Sequence, residues 1–572
     1  MTFRGLSNPW TAFSVLLLAA LAAYQHVYSA PFVFDDQAAI VDNPTLRSPF
    51  ILGAALRPPA YASGASGRPL VNLTLALNYA AGGLDVRGYH AVNLGLHILA
   101  SLVLFGLVRR TLEKIGGGGV VDSFWTALAA ALVWSVHPLL SESVACVIQR
   151  TEVLAGLFYL LTLYCFARGT EPRAARAWLT LCVLSCFLGV ASKEILVSAP
   201  IVVLFYDRTF VSGTLRAAWS DRRRLYIALA FTWLPLRWFM LSSEHRGGSV
   251  GFGLGVSGWD YLLTQCRGIG IYLKLSIWPH PLSIDYGTDI VRHASEVIPQ
   301  GVALLLMAAV TAVGVWRRSM VGFLGLCFFV ILAPSSSVVP LVTQPIAEHR
   351  MYLPLAAIVL LAVVGGHAWA GQKSLLIWPA VALGLGWVTH RRIDDYRTQI
   401  SLIQSTLAVN PQNDRAYLNL GTFASRQGRL AEAIADYQEA LTIDPAVADT
   451  HNNLGAVLEQ SGQPDEAIAQ YREAARLQPD QPAAYYNLGL ALLKTGRMEE
   501  AIGPLTKALQ LQPDSAAARR SLGLAHRDLG ILLAEGGRLT EAKLHFTEAL
   551  RLTPDDAQMR RNLERIEALE AK

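Results

Sequence analysis

Asp35 and Asp36 stand side by side directly after an apolar run over residues 10–30. Ionised carboxylates are costly beside a low-dielectric layer, so ionisable residues at membrane depth are functional candidates. The pair suits a base that takes a proton from an acceptor hydroxyl. A solvated loop start, continued by Asp42 and Asn43, is the alternative. Further charges collect at the ends of later apolar runs: His137 with Glu142, Arg150 with Glu152, Lys193 with Glu194, and Glu348-His349-Arg350. Each alone also reads as a snorkelling side chain or a structural ion pair. Gathered on one face, they describe a cavity lined by two Asp and several cations. A guanidinium matches phosphate oxygens bidentately, and an ammonium acts as a point charge. Such a cavity suits a lipid-linked phosphate donor together with a base for its acceptor.

Apolar helices must hold these residues. A spanning helix needs about 20 mostly apolar residues. The candidates are 10–30, 91–108, 123–140, 145–167, 177–191, 195–206, 225–241, 301–316, 319–333, 352–370 and 374–389, eleven spans in all. Arg267 and Lys274 interrupt 259–280, which reads as an interfacial or re-entrant helix. The first run has the look of a secretory signal, but Pro31 would follow the cut, so it reads as an uncleaved first span. Basic loops orient the set. Arg109, Arg110 and Lys114 form one cluster, Arg168, Arg173 and Arg176 a second, and Arg208, Arg216 and Arg222 to Arg224 a third; Arg317, Arg318 and Lys373 complete it. With all of these cytoplasmic, the N-terminus is inside. The segment 31–90, the loops 137–144, 192–194 and 334–351, and the stretch 242–298 then face outward.

From Asn410 onward the chain is written for water. Pro411, Pro445, Pro479 and Pro513 recur every 34 residues, the tetratricopeptide (TPR) period. Tyr417, Leu420, Gly421, Ala433, Tyr437, Ala440 and Pro445 occupy the consensus positions of one repeat, and equivalent sets surround Gly455, Gly489 and Gly530. The last set comes 41 residues on, which places seven extra residues near 516–523 as a longer helix. Asn419, Asn453 and Asn487 recur on corresponding helix faces. They either hydrogen-bond an extended peptide in the groove or satisfy local polar groups. The expected fold is all-α: a polytopic membrane domain over 1–390, a linker or half repeat over 391–410, and a TPR α-solenoid over 411–570.

Composition narrows the class. At 53% hydrophobic residues the chain is too apolar for a soluble array of domains. Of its 48 basic and 43 acidic residues, 21 and 25 lie in Arg391–Lys572, which leaves 27 and 18 before it, a net of +9. The excess sits beside the spans, so the overall +5 does not indicate nucleic-acid binding. The six cysteines lie in or beside apolar segments with no C-x-x-C pair, which suggests neither a zinc site nor a disulfide framework.

An ordered set of residues carries a resemblance. It runs from Asp35-Asp36 through Arg68-Pro69-Leu70, Gly88-Tyr89-His90, Asn93 and His97 to His137-Pro138, Gln149-Arg150 and Lys193-Glu194. It ends with Pro281 to Tyr286 and Glu348 to Pro354, with the repeats appended. The chain resembles the transmembrane and tetratricopeptide-repeat-containing proteins, within the GT-C superfamily of polyprenyl-phosphate-sugar-dependent glycosyltransferases. The resemblance covers essentially the whole length, though no single motif in it is specific. It implies transfer of mannose or a related hexose to a protein hydroxyl on the non-cytoplasmic face, as in protein O-mannosyltransferases. By that analogy Asp35 is the general base, and Asp36 positions water, acceptor or a cation. Arg150, Lys193 and Arg350 neutralise the leaving phosphate, supported by His137, Glu142, Glu194, Glu348 and His349. No cofactor is expected; a divalent metal stays open, with no metal-ligand spacing in the chain. The implied partners are a polyprenyl-phosphate sugar, a protein or peptide acceptor held by the repeats, and the bilayer.

The expected setting is a bacterial inner membrane, N-terminus cytoplasmic and repeats periplasmic; an endoplasmic-reticulum membrane with a lumenal tail is topologically equivalent. A non-enzymatic TPR scaffold for envelope assembly is the second reading, although an anchor needs one or two spans rather than eleven. A transporter is a third, disfavoured because the charges crowd the outer ends instead of the midplane.

Overall fold

The computed structural model describes residues 7–47, 51–59, 61–62, 64–116, 123–171, 174–241, 256–336, 340–341 and 343–570. Arg173 of the second basic cluster, 242–255 of the outer stretch, and 337–339 and 342 of the last outer loop lie outside the described residues. Among the described residues the chain is all-helical, and it divides into two units, Met1–Val409 and Asn410–Lys572.

Four helices of the first unit are long and apolar enough to cross a membrane: Val86–Ile115, Val147–Gly169, Ala294–Trp316 and Pro354–Asp395. Ser123–Ser135 and Pro138–Ala145, bent by 55°, make a fifth if the pair is one span. The eleven spans expected from the sequence are therefore not reached, and the reason is length. The runs 10–30, 177–191, 195–206 and 319–333 form the helices Pro9–Ala23, Ala175–Val190, Ala199–Phe210 and Met320–Leu332, of 15, 16, 12 and 13 residues. At ~1.5 Å per residue these cover roughly 18–24 Å, short of a hydrocarbon core of about 30 Å. The run 225–241 breaks at Thr232, and 352–370 joins 374–389 through the turn Gly371–Leu376. The Gly258–Ile277 helix carries Asp260, Arg267 and Lys274 and does not join the set.

The surface of this unit asks for lipid. The Ile298–Trp316 helix leaves Leu305 73% and Trp316 75% exposed, with Leu306 and Val310 beside them. Water penalises such a stripe by about 25 cal/mol per Å² of apolar area, and a bilayer removes that penalty. The same helix packs on Met320–Leu332 by close backbone approach. A Cβ on Gly322 would lie 2.0 Å from the carbonyl carbon of Gly314, so only glycine fits there.

Buried aromatic side chains lock the segment that carries Glu348 to Tyr352. Trp134 Nε1–H donates to the Tyr352 carbonyl at 3.0 Å, and His97 Nδ1 lies 2.9 Å from the Tyr352 hydroxyl. Gly156 makes room for this ring, since a Cβ there would stand 2.5 Å from Tyr352 Cε1. Helices Val86–Ile115, Ser123–Ser135 and Arg150–Gly169 thus fix one short segment from three sides.

The second unit is a stack of helix pairs: Asp414–Arg426 with Leu430–Ile443, Ala448–Gln460 with Pro464–Leu477, Pro482–Lys494 with Met498–Leu511, and Ala516–Glu535 with Leu539–Leu552. Ala557–Glu570 closes it. The seven extra residues lengthen Ala516–Glu535 to 20 residues, against 13 in its counterparts. Within each pair a small residue receives a large one, as where Gly455 lies against the ring of Tyr471. Each repeat buries its apolar face only against its neighbours.

Candidate active site

The two adjacent carboxylates have separate fates. Phe34 adopts φ 47°, a left-handed conformation rarely taken by a bulky residue. Asp36 turns into the protein and is fully buried, while Asp35 is exposed. The Asp36 carboxylate accepts the backbone N–H groups of Val33 at 3.0 Å, Ile148 at 2.7 Å and Val147 at 3.4 Å. Burial pushes its carboxyl up to about 7, while the three amides pull the other way. Asp36 thereby anchors the segment that follows Pro9–Ala23 to the shelf between Cys146 and Gln149. No hydrogen bond or ion pair engages the Asp35 side chain among the described residues. The resemblance gave Asp36 the positioning of water, acceptor or a cation beside the base Asp35; the buried Asp36 carboxyl is instead taken up by three backbone N–H groups.

Behind this shelf lies a buried polar network. Glu142 Oε1 is 2.7 Å from His349 Nδ1, and its Oε2 accepts the His349 backbone N–H at 3.0 Å. Burial lowers the His349 pKa to about 3, so the ring is neutral and shares a hydrogen bond with the Glu142 carboxyl through Nδ1. On the other side His349 Nε2 stands 3.9 Å from Glu152, which also pairs with Lys193. Burial lowers the Lys193 pKa, with Glu152 opposing. Glu348 Oε1 accepts the Ser283 N–H at 2.7 Å and the Tyr286 hydroxyl at 2.6 Å, which joins the motif Pro281 to Tyr286 to this network. Burial pushes the Glu348 carboxyl up to about 7. Lys193, Arg350 and Arg392 all lie within electrostatic reach of Glu142.

The three cations expected to meet a phosphate are already engaged inside the protein. Arg150 donates from Nε to Asn93 Oδ1 at 2.6 Å and from Nη2 to the Tyr89 carbonyl at 3.1 Å. Its Nη1 lies 3.5 Å from Thr74 Oγ1. Arg350 donates from Nη1 to the Pro345 carbonyl at 2.7 Å and from Nη2 to the Gln344 carbonyl. Lys193 faces Glu152. His137 accepts the Leu139 N–H at 3.2 Å and lies 3.2 Å from the Ser276 carbonyl, which caps the turn before Glu142. Glu194 pairs with Arg68 at 3.4 Å. The structure thus brings Glu142, Glu152, Lys193, Glu348, His349 and Arg350 together, with Arg150 beside Asp36.

Sequence reasoning passed over Arg392, which sits just beyond the last apolar run and counts there as a solvent charge. It is buried, its ring neighbour Tyr396 is fully buried, and it lies within electrostatic reach of Glu348.

In the repeats, Asn419, Asn453 and Asn487 lie on the first helices of consecutive pairs and are half-buried. Asn487 Nδ2 donates to Asn452 Oδ1 at 2.9 Å.

Comparison with known proteins follows this division. Residues 412–480 and 452–516 match the tetratricopeptide-repeat family. The Homo sapiens protein named protein O-mannosyl-transferase TMTC4 is 28% identical over 496 residues, covering 75% of this chain and 66% of that protein. The Drosophila melanogaster protein O-mannosyl-transferase Tmtc1 is 28% identical over 528 residues, covering 72% of this chain and 59% of its own length. The chain thus spans just under two thirds of these relatives at most. Among solved structures, the crystal structure of MamA aligns at 26% identity and a TM-score of 0.24, over 29% of this chain and 94% of that one.

Proposed function

We propose that this chain is an integral-membrane glycosyltransferase that moves mannose, or a related hexose, from a polyprenyl-phosphate sugar to a protein hydroxyl. The observation that carries this reading is the exposed Asp35 carboxylate, turned out by Phe34 and anchored through Asp36. It stands on a chain three quarters of which aligns with a protein named O-mannosyl-transferase. The acceptor oxygen forms a bond to the anomeric carbon as the bond from that carbon to the phosphate oxygen breaks. The electron pair stays on the lipid phosphate, and Asp35 takes the hydroxyl proton. A phosphate leaves without protonation, so one base suffices. The Glu142–His349 network forms a rigid wall whose dipoles need no rearrangement during the reaction. The repeats hold the protein acceptor or a partner. We place the N-terminus in the cytoplasm and the repeats on the opposite face, as in a bacterial inner membrane, from the basic clusters that end Val86–Ile115 and Val147–Gly169.

A scaffold is the second reading. An anchor uses one or two spans, and four or five still exceed that need; a scaffold also gives no reason for the strained Phe34 turn. Transfer of radiolabelled mannose from polyprenyl-phosphate donors, in membranes holding wild type or Asp35→Asn, separates the two. Label reaching protein only with wild type is expected; equal incorporation by both would remove Asp35 from the mechanism.

A further inference from the structure

Every buried cation first matched to the donor phosphate is satisfied by the protein itself, and one that was not matched is not. Arg392 is 6% exposed. Its Nη1 donates to Asp395 Oδ2 at 2.8 Å and to Ser405 Oγ at 3.2 Å. Its Nε and Nη2 are buried and have no hydrogen-bond partner, and no other arginine among the described residues has two such atoms. Nε and Nη2 form one edge of the guanidinium plane, the edge that takes two oxygens of one oxyanion side by side. The Tyr396 ring lies 5.4 Å from that guanidinium, and its buried hydroxyl is also without a partner. Three unspent donors on two buried side chains describe a built oxyanion site, because leaving them unmet in a dry interior costs more than they return.

The place fits the proposed chemistry. Cys146, on the shelf that holds Asp36, lies within electrostatic reach of Asp35, Asp36, Glu142 and Arg392 at once. Gln399 Nε2 donates to the Phe32 carbonyl at 3.2 Å, and His26 Nδ1 lies 2.7 Å from Asp394 Oδ1. These contacts fasten the end of the Ile377–Asp395 helix to the segment that leads into Asp35. Glu348 Oε2, buried and without a partner, is left to hydrogen-bond a hydroxyl on the same ligand. A sugar phosphate carries both groups, whereas an inorganic anion lacks the hydroxyl pattern.

We infer that Arg392 and Tyr396 grip the phosphate of the isoprenoid-phosphate donor through the free guanidinium edge and the phenolic hydroxyl. The inference rests on the glycosyltransferase reading for its choice of ligand. Arg150, Lys193 and Arg350 then act as framework, and Arg392 is the residue that meets the leaving group.

The test is binding without transfer. The full chain, purified in detergent, is titrated with farnesyl phosphate, with farnesol and with inorganic phosphate, as wild type, Arg392→Lys and Tyr396→Phe. Lysine keeps the charge and loses the two-donor edge. Farnesyl phosphate should bind wild type, weaken about tenfold or more in Arg392→Lys, and weaken severalfold in Tyr396→Phe. Farnesol should not compete. A folded Arg392→Lys protein that binds like wild type, or a wild type that ignores farnesyl phosphate, overturns the assignment. Competition by inorganic phosphate as strong as by farnesyl phosphate would make this a free-phosphate site and also overturn it. Should Arg392→Lys fail to fold, Tyr396→Phe carries the test, since it removes one hydroxyl and no packing. Binding that persists while no mannose is transferred keeps this site and removes the glycosyltransferase reading. Transfer that needs Asp35 while Arg392→Lys binds normally does the reverse.

Discussion

Glu142 holds His349 twice across 207 positions of chain, by the ring Nδ1 at 2.7 Å and by the backbone N–H at 3.0 Å. The pair joins the bend after Ser135 to the turn before Pro354, so it closes the first unit across its two halves. Removing either partner leaves a buried polar group unmet, at a cost of about 2–4 kcal/mol. Glu142→Ala and His349→Ala should each lower the thermal unfolding midpoint in detergent. The double variant should lose less than the two together, by about 1–3 kcal/mol. Strict additivity in that cycle would show that the bond does not set the closure.

The neighbouring carboxylates should part company under mutation. Asp35 is exposed and meets no partner, so Asp35→Asn should leave the unfolding midpoint within about a degree. If it is the base, transfer should fall by about 100-fold or more. Asp36→Ala strands three backbone N–H groups, each costing about 1–3 kcal/mol. It should be recovered as unstable or poorly inserted protein. Comparable stability of the two variants would mean that the amide cradle is not what anchors the loop.

Much of this was legible in the residues. The 34-residue prolines and small–large pairs specify the repeat because each position touches only a neighbouring repeat, so local pattern and packing agree. The cluster around Glu142, Lys193 and Glu348 was visible as charge where apolar runs end. The span count was not, because several apolar runs form helices too short to cross, 225–241 breaks at Thr232, and 352–370 joins 374–389 into one stretch. Nor was the split between Asp35 and Asp36, which depends on amides 111 and 112 residues away. Arg392 was missed for the same reason: nothing local distinguishes a buried arginine just past a span from a solvated one.

The contribution of Glu348 to the stability of the first unit should fall as the medium turns from acid to neutral. Burial carries the Glu348 carboxyl from its ordinary 4.5 up to about 7. Between those values the folded protein keeps a proton that the unfolded chain releases. The stabilisation is therefore full below pH 4.5 and lost as pH rises through about 7, a difference of up to about 3 kcal/mol. Glu348→Gln keeps an acceptor for Ser283 and Tyr286 and cannot ionise, so it should flatten this slope. The share due to Asp36, also raised to about 7, should remain. Unfolding midpoints of wild type and Glu348→Gln between pH 4.5 and 8 decide it, and parallel curves would remove Glu348 from the effect.

The three repeat asparagines are not equivalent, and that difference can be used. Asn487 spends its amide on Asn452, a bond between the first helices of neighbouring pairs, so Asn487→Ala should cost about 1 kcal/mol of stability. The Asn419 and Asn453 side chains make no hydrogen bond among the described residues, and both residues stay half-buried. If the array holds the acceptor by its backbone, the joint replacement Asn419→Ala with Asn453→Ala should raise KM for a protein acceptor several-fold. It should leave kcat unchanged, because only binding common to ground and transition states is lost. A short peptide acceptor, too small to reach the array and the base together, should show no change with the same variant. An equal rise in KM for both acceptors would place the asparagines' effect on folding rather than on capture, and no rise for either would leave the array to a partner other than the substrate.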